Sequence, residues 1–195
     1  MISFSMIMQV RMMKVFVAGP RAVTTLDPVV IDRLSGLTKK GATVLVGDAD
    51  GVDSLAQKCF ADLGYRDVIV YASNGRARNN LGNWDIRSVP VGEKTKGFAF
   101  YASKDLQMAE DTDFGFMIWN GHSKGTLNNM VNLIRRNKVV LVYLLPQNRF
   151  YGIGSMGELH ELVGMCGVYA GKRLKALTDE PPSPRSEQIS FEAFE

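Results

Sequence analysis

The chain has few cysteines, no strong net charge and no long apolar run. Its two cysteines, Cys59 and Cys166, fall within helical patterns, which excludes a disulfide framework and predicts a reducing, cytoplasmic location. No apolar run approaches the roughly 18 residues of a membrane span, so we expect no membrane partner. The net charge of +3 is too small to predict non-specific DNA binding. A cytoplasmic binding protein or enzyme remains.

The length and composition indicate one globular domain. The chain has 195 residues, of which 46% are hydrophobic, and this is enough to bury a proper core. Residues 1–13 are rich in methionine, and we interpret them as an N-terminal extension. Residues 178–195 combine prolines with serine and glutamate, so we expect a disordered tail. The domain itself is therefore predicted to span residues 14–177.

Short apolar runs alternate with helical patterns along this domain. The runs at 14–18, 43–46, 67–71, 113–119 and 138–143 predict five strands, whereas residues 72–97 show no period and predict a long loop. A last helix is predicted from Ser155 to about Cys166. Strands that are apolar throughout indicate a parallel sheet covered on both sides. We therefore expect an α/β, Rossmann-like, doubly wound and mainly parallel sheet with helices on both faces.

The turn after the fourth predicted strand favours phosphate binding. The strand ends at Trp119, and the next helix begins near Leu127. Between them lie Gly121, Ser123, Lys124, Gly125 and Thr126. A helix N-terminus offers backbone N–H groups and about half a positive charge, and the lysine adds a full charge. Because ligands of such sheets bind where strand order reverses, Gly19, Pro20 and Arg21 after the first strand are expected beside this turn.

Taken together, the turns after strands one, two and four resemble the SLOG superfamily. That group of Rossmann-like nucleotide-binding domains includes lonely-guy phosphoribohydrolases, the DNA-processing protein DprA and YpsA-like proteins. The resemblance implies a nucleotide-ligand site, and relatives of this kind pair into homo-oligomers. We expect no cofactor, and no metal because Asp48 and Asp50 have no further clustered ligands. The implied ligand- and phosphate-binding residues are Gly19, Pro20, Arg21, Gly47, Gly51, Asp53, Lys104, Gly121, Ser123, Lys124, Gly125 and Thr126.

One departure from the family pattern leaves two functions open. The phosphoribohydrolases have a glutamate three residues after the threonine, whereas this chain has Asn129, which carries no charge to stabilise an oxocarbenium-like state. The first hypothesis is a protein that binds a small nucleotide or nucleotide-derived ligand, as a sensor. The alternative is a nucleotide N-glycosidase or deoxyribosyltransferase, with Asp53 or Glu158 as catalytic candidates. We do not expect nucleic acid as a partner, because the predicted helices show no basic stripe.

Several side chains have a structural interpretation beside a functional one. Asp53 either binds a ribose hydroxyl or caps the helix that follows it. Lys104 either points at phosphate or is solvated, and Trp84 either stacks on a base or anchors the long loop. We expect Asp48 to lie in a solvated turn. The aromatic residues of the helix before the fourth strand, Phe98, Phe100 and Tyr101, are expected to be packing residues of that helix.

Overall fold

The computed structural model describes residues 12–179, which form a seven-stranded sheet with six α-helices. In chain order the elements are β1 Lys14–Ala18, α1 Pro28–Lys39, β2 Thr43–Gly47, α2 Val52–Asp62, β3 Val68–Ser73, β4 Asp85–Val89, α3 Gly97–Asp111, β5 Phe114–Trp119, α4 Lys124–Ile134, β6 Val140–Leu144, a 3-10 turn Leu145–Gln147, β7 Arg149–Ile153, α5 Met156–Gly164 and α6 Val168–Asp179.

The sheet has the order β4-β3-β2-β1-β5-β6-β7 and is parallel except for β7, which runs antiparallel to β6. The chain winds outward from β1 to β4, returns to the centre, and winds outward again from β5. Strand order therefore reverses between β1 and β5, and Ala18 pairs with Met117 there. This confirms the predicted Rossmann-like α/β fold and the predicted pairing of the first strand with the strand that ends at Trp119.

Helices cover both faces of the sheet, which explains the continuous apolar strands. In β1, Val15 and Val17 belong to one core cluster with α1 and α2, while Phe16 and Ala18 belong to a second cluster with α3, α4, α5 and α6. All four side chains are buried. Because both sides of each central strand face helices, no polar alternation is left in the sequence.

The elements missing from the sequence prediction are the two edge strands and α6. Strand β4 exposes Asp85 through Ser88, so it lacks the apolar run that marks the central strands. It forms within the predicted long loop 72–97. The predicted last helix ends earlier, at Gly164, and α6 follows, with Ala170, Leu174 and Leu177 buried at helical spacing.

The ends of the predicted domain coincide only partly with the described residues. Helix α6 ends at Asp179, so the first two residues assigned to the tail are helical. Residues 1–11 and 180–195, which hold most of the predicted extension and tail, lie outside the described residues. Within residues 12–179, no helix is both long enough and apolar enough to cross a membrane.

Candidate functional site

A cavity of about 590 Å³ opens where β1 and β5 end. Its walls are the loop after β1, helix α3, the turn between β5 and α4, and one residue of α6. Of the ligand-binding residues predicted from sequence, those that line the crevice are Gly19, Pro20, Arg21, Asp53, Lys104, Ser123, Lys124, Gly125 and Thr126. The other three predicted residues do not line the crevice but lie in the layer behind its wall: Gly47, Gly51 and Gly121.

Gly51 supports the loop after β1. Its φ is +78°, and a Cβ at this position would lie 2.4 Å from the carbonyl oxygen of Pro20 and 2.5 Å from Cα of Arg21. The N–H of Val52 donates to the same carbonyl at 3.2 Å. The backbones of the two turns therefore touch, and this contact holds Arg21 at the mouth of the crevice. Gly121 lies behind the other turn, against Cys166.

A buried ion cluster lies beneath the crevice, against Gly47. Lys104 is 3% exposed, and its Nζ is 2.9 Å from Asp105 Oδ1 and 3.7 Å from Asp48 Oδ1. Burial alone lowers the pKa of Lys104, but the carboxylates of Asp105, Asp53 and Asp48 raise it above its ordinary value. Lys104 is thus protonated, and the neighbouring carboxylates balance its positive charge. It is therefore neither solvated nor free to bind a phosphate.

Asp53 belongs to this cluster and does not occupy the helix-cap position. Its Oδ2 accepts the N–H of Ala49 at 3.2 Å, which closes the turn before α2, while Gly51 is the residue at the N-cap. Burial raises the pKa of Asp53 to about 6, against the opposing effect of Lys104. Asp53 also lines the crevice.

Asp48 is buried, which corrects the expectation of a solvated turn. Arg78 donates to its carboxylate from Nε at 3.0 Å, from Nη2 at 2.8 Å and from the backbone N–H at 3.1 Å. Burial works against the charge, but these hydrogen bonds bring the pKa of Asp48 below its ordinary value. Gln57 holds the segment between β3 and β4, to which Arg78 belongs, in the same way. Its carboxamide donates to Asn79 O and accepts the N–H of Leu81.

The turn between β5 and α4 satisfies part of its own backbone. Asn120 Oδ1 accepts the N–H groups of His122 at 3.2 Å and Ser123 at 2.9 Å, and Ser123 Oγ caps α4 by accepting the N–H of Thr126. Lys124 and Gly125 occupy the first positions of α4, where a helix offers no carbonyl partner to the N–H group. The backbone N–H groups of Lys124 and Gly125 are therefore the groups of this turn that can donate to an anion.

Cations and aromatic rings alternate around the mouth of the crevice. Lys124 Nζ is 4.5 Å from the centre of the Phe98 ring, and Arg21 Cζ is 4.5 Å from the centre of the Tyr101 ring. Arg173 of α6 donates to His122 O and also lines the cavity. We call Arg21, Phe98, Tyr101, Lys124 and Arg173 the rim.

The rim corrects one sequence interpretation and adds one residue that the sequence analysis missed. Phe98 is 45% exposed at the start of α3, so it is not the packing residue that the sequence suggested. Arg173 is not among the predicted site residues because α6 was not predicted. The apolar residues Ala170, Leu174 and Leu177 recur at helical spacing and could have indicated this helix. Trp84, by contrast, is buried and donates from Nε1 to Tyr65 O, so it anchors the segment before β4.

Deeper in the crevice lies a second set of polar side chains. Asn129, one turn below the start of α4, is 3% exposed and lines the cavity. Its Oδ1 is buried and accepts no hydrogen bond from any residue within 12–179. We call Asp53, Lys104, Asp105 and Asn129 the floor.

The second catalytic candidate lies elsewhere. Glu158 is exposed in the first turn of α5, where its carboxylate accepts the N–H groups of Gly154 and Ser155 in a capping box. Hydrogen bonds from Gly154 and Ser155 lower its pKa. Glu158 does not line the crevice. Within residues 12–179, no group of three or more His, Cys, Asp or Glu side chains is arranged to hold a metal ion.

Comparison with known proteins gives structural neighbours only. No family model and no curated protein matches the sequence. DNA-processing protein A from Helicobacter pylori has 15% sequence identity and a TM-score of 0.54 over 87% of this chain and 82% of its own. DNA-processing protein A from Streptococcus pneumoniae has 18% identity and a TM-score of 0.51 over 85% of this chain and 61% of its own. Such a likeness establishes the fold alone, which is Rossmann-like as the sequence predicts.

The same comparison contradicts two expectations from the sequence. The Helicobacter pylori protein binds single-stranded DNA, which speaks against a small-molecule nucleotide as the ligand and against the exclusion of nucleic acid. The N-glycosidase alternative finds no support in it. The error has a physical source. Arg21, Lys124 and Arg173 come from three distant segments, so the basic surface they form is not visible as a stripe on any helix.

Proposed function

We propose that this chain, which has the fold of DNA-processing protein A, binds single-stranded DNA across the mouth of its crevice. The observation that carries the proposal is the rim, in which cationic side chains lie against aromatic rings beside the N-terminus of α4. The fold is shared with a protein that binds single-stranded DNA. We place the activity in the cytoplasm because Cys59 and Cys166 are free thiols.

A single strand offers two features that the rim matches. Its phosphates are attracted by Arg21, Lys124 and Arg173 and by the N–H groups at the start of α4. Its unpaired bases expose flat faces that stack on aromatic side chains, at about 1–3 kcal/mol for each base. The contacts of Lys124 with Phe98 and of Arg21 with Tyr101 hold these long cationic side chains in place, so less entropy is lost on binding.

The charge distribution favours phosphate at the rim over phosphate in the floor. Lys104 is already paired with Asp105, and Arg78 is already paired with Asp48. A phosphate that reached the floor would meet the carboxylate of Asp105 and the carboxyl group of Asp53. The backbone of the strand is therefore expected to follow the exposed cations and to leave the deeper groups to other parts of the nucleotide.

The test measures binding of a fluorescent thymine oligomer of about 15 nucleotides by anisotropy, across a series of salt concentrations. We expect Arg21→Ala and Lys124→Ala each to weaken binding and to reduce the salt slope by roughly 0.7 for each phosphate that the variant no longer neutralises. Lys58→Ala is the matched control, because Lys58 is an exposed lysine of α2 outside the crevice. Its affinity and slope should equal those of the wild type.

A duplex of the same length separates strand binding from general attraction to DNA. Stacked and paired bases cannot reach the exposed ring of Phe98, so the duplex should bind more weakly than the single strand. Equal affinity for both forms, or rim variants that bind like Lys58→Ala, would contradict the proposal.

A further inference from the structure

We infer that Tyr169 of α6 stacks on a base of the bound strand outside the crevice, and that α6 thereby extends the binding surface beyond the rim. The inference rests on the proposed function and goes beyond it, because Tyr169 does not line the crevice. It starts from the distribution of exposed aromatic rings. Within residues 12–179 only Phe98 and Tyr169 are exposed aromatic residues, and Tyr169, at 62%, is the more exposed. Phe98 belongs to the rim, and Tyr169 lies in the first turn of α6.

Arg173 connects the Tyr169 ring to the crevice. Its Cζ is 4.5 Å from the centre of the ring, and its Nη2 donates to the Tyr169 hydroxyl at 2.9 Å. The same guanidinium donates from Nη1 to His122 O, in the turn before α4, and Arg173 lines the crevice. Tyr169 is therefore held beside the rim, with one side chain between its ring and the cavity.

The Tyr169 ring keeps one face free for a base. A guanidinium that lies over an aromatic ring covers only one of its faces. Because Tyr169 remains 62% exposed in this contact, the face opposite Arg173 is open to solvent. Every nucleobase offers a flat face to such a ring, so the contact requires no particular base.

The charge around Tyr169 attracts the backbone of a strand. Residues three and four positions apart are neighbours on the surface of a helix, so Lys172 and Arg173 both lie beside Tyr169. Lys172 is exposed. The one acidic residue of α6, Asp179, is its last residue. This face of α6 thus combines an aromatic ring with cations, as the rim does.

The position of this face identifies its occupant as the strand that leaves the crevice. Tyr169 precedes Arg173 by four positions, which is about 6 Å along the helix axis. A phosphate bound by Arg173 at the rim thus brings the adjoining nucleotide within reach of Tyr169. A second copy of the chain is the other candidate, because Met165 and Val168 extend the exposed apolar surface. A two-fold contact there would set Lys172 and Arg173 near the same cations of the other copy, which disfavours it.

The test measures anisotropy with the thymine oligomer of about 15 nucleotides. We expect Tyr169→Ala to weaken binding by at least about fivefold, which is the lower end of the effect of losing one stacked base. Tyr169→Phe keeps the ring and loses only the hydroxyl group that accepts from Arg173, so its affinity should stay close to that of the wild type. Val168→Ala is the matched control, because Val168 is 78% exposed beside Tyr169 and carries no ring. Its affinity should be unchanged.

Tryptophan fluorescence reports the contact itself. Tyr169→Trp keeps an aromatic ring at the site, so it should bind the oligomer, and its added emission should be quenched when a base stacks on the indole. The wild type gives the baseline, because its Trp84 and Trp119 are buried. An indirect, structural role of Tyr169 would change the affinity without this quenching.

Each result bears on one proposal. No binding by the wild type overturns the proposed function itself. Undiminished binding by Tyr169→Ala, or quenching in Tyr169→Trp no greater than the baseline, leaves strand binding standing and overturns the role of Tyr169. Equal losses in Tyr169→Ala and Tyr169→Phe assign Tyr169 to the positioning of Arg173 and also overturn it. A dimer that Tyr169→Ala dissociates, measured by size-exclusion chromatography, assigns this face of α6 to a second copy, with the same consequence.

Discussion

The rim and the floor of the crevice treat charge in opposite ways. At the rim, Lys124 and Arg21 are exposed and lie against aromatic rings, so their charge is available to a ligand. In the floor, Lys104 is buried and its charge is absorbed by Asp105, Asp53 and Asp48. Two lysines on successive helices therefore do different work. We expect Lys104 to stabilise the fold beneath the site, and we propose that Lys124 attracts an anion to it.

Removal of Lys104 should have the largest effect on stability. Lys104→Met leaves the neighbouring carboxylates buried without their cation, and breaking a buried ion pair in this way costs about 3–5 kcal/mol. Urea unfolding of the variant measures the loss. The control is Lys58→Met, which breaks the exposed pair with Asp62 and should cost less than about 1 kcal/mol. A similar small loss for Lys104→Met would show that the floor is not a coupled ion cluster.

The protonation of Asp53 should make stability depend on pH. Its pKa in the folded protein, about 6, lies above the ordinary value of 3.8, so the folded state binds the proton more tightly. The contribution of Asp53 to the free energy of unfolding therefore falls by up to about 3 kcal/mol as the pH rises from 3.8 to about 6. Above pH 6 this contribution no longer changes. Asp53→Asn should remove this component of the pH profile.

The difference between wild type and Asp53→Asn isolates this one group. Asp48 and Glu158 have lowered pKa values, so their contributions are lost as pH falls and oppose the trend of Asp53. These contributions are common to both proteins. Parallel pH profiles for the two proteins would mean that Asp53 titrates normally and that the floor does not raise its pKa.

A methyl group at Gly47 should destabilise the protein, because it would push the ion cluster away from the sheet. In Gly47→Ala the new Cβ would lie 2.2 Å from Asp53 Oδ2 and 2.6 Å from Lys104 Nζ, and overpacking of this kind costs about 1–3 kcal/mol. Gly36→Ala is the matched control within α1, where no atom lies within 4 Å of the new methyl group. It should raise stability by about 0.4–1 kcal/mol. Thermal unfolding measures the melting temperature, which should fall in Gly47→Ala and rise in Gly36→Ala.

The rim should show the smallest effect on stability and the clearest effect on binding. Lys124→Ala removes one exposed contact with Phe98, so the free energy of unfolding should change by no more than about 1 kcal/mol. The same variant should weaken the binding of single-stranded DNA. If it instead destabilises the protein as much as Lys104→Met, the distinction between rim and floor fails.

The sequence predicted the centre of the fold better than its edges. Strands such as β1 and β5 are buried on both faces, and this produces apolar runs that stand out from the segments around them. Edge strand β4 exposes most of its side chains and resembles a loop in composition. The turns after the central strands were predicted to converge because parallel strands share one carboxyl edge.

The properties of the site were less accessible to sequence analysis. Periodicity does not tell whether Phe98 faces the sheet or the crevice mouth, because it lies in the first turn of α3. Arg173 approaches His122 from 51 positions away, through a helix that was not predicted. The charge state of Lys104 depends in part on Asp48 and Asp53, which lie in the turn after β2 and at the start of α2, so only the tertiary structure separates it from Lys124.

The fastening of residues 74–84 has a kinetic consequence. Arg78 holds this segment to Asp48, and Gln57 holds it at Asn79 and Leu81, so it moves with the sheet. Under the proposed function, a single strand would not have to wait for this segment to open. Its association rate should then depend steeply on ionic strength, while its dissociation rate should depend on the contacts made inside the crevice.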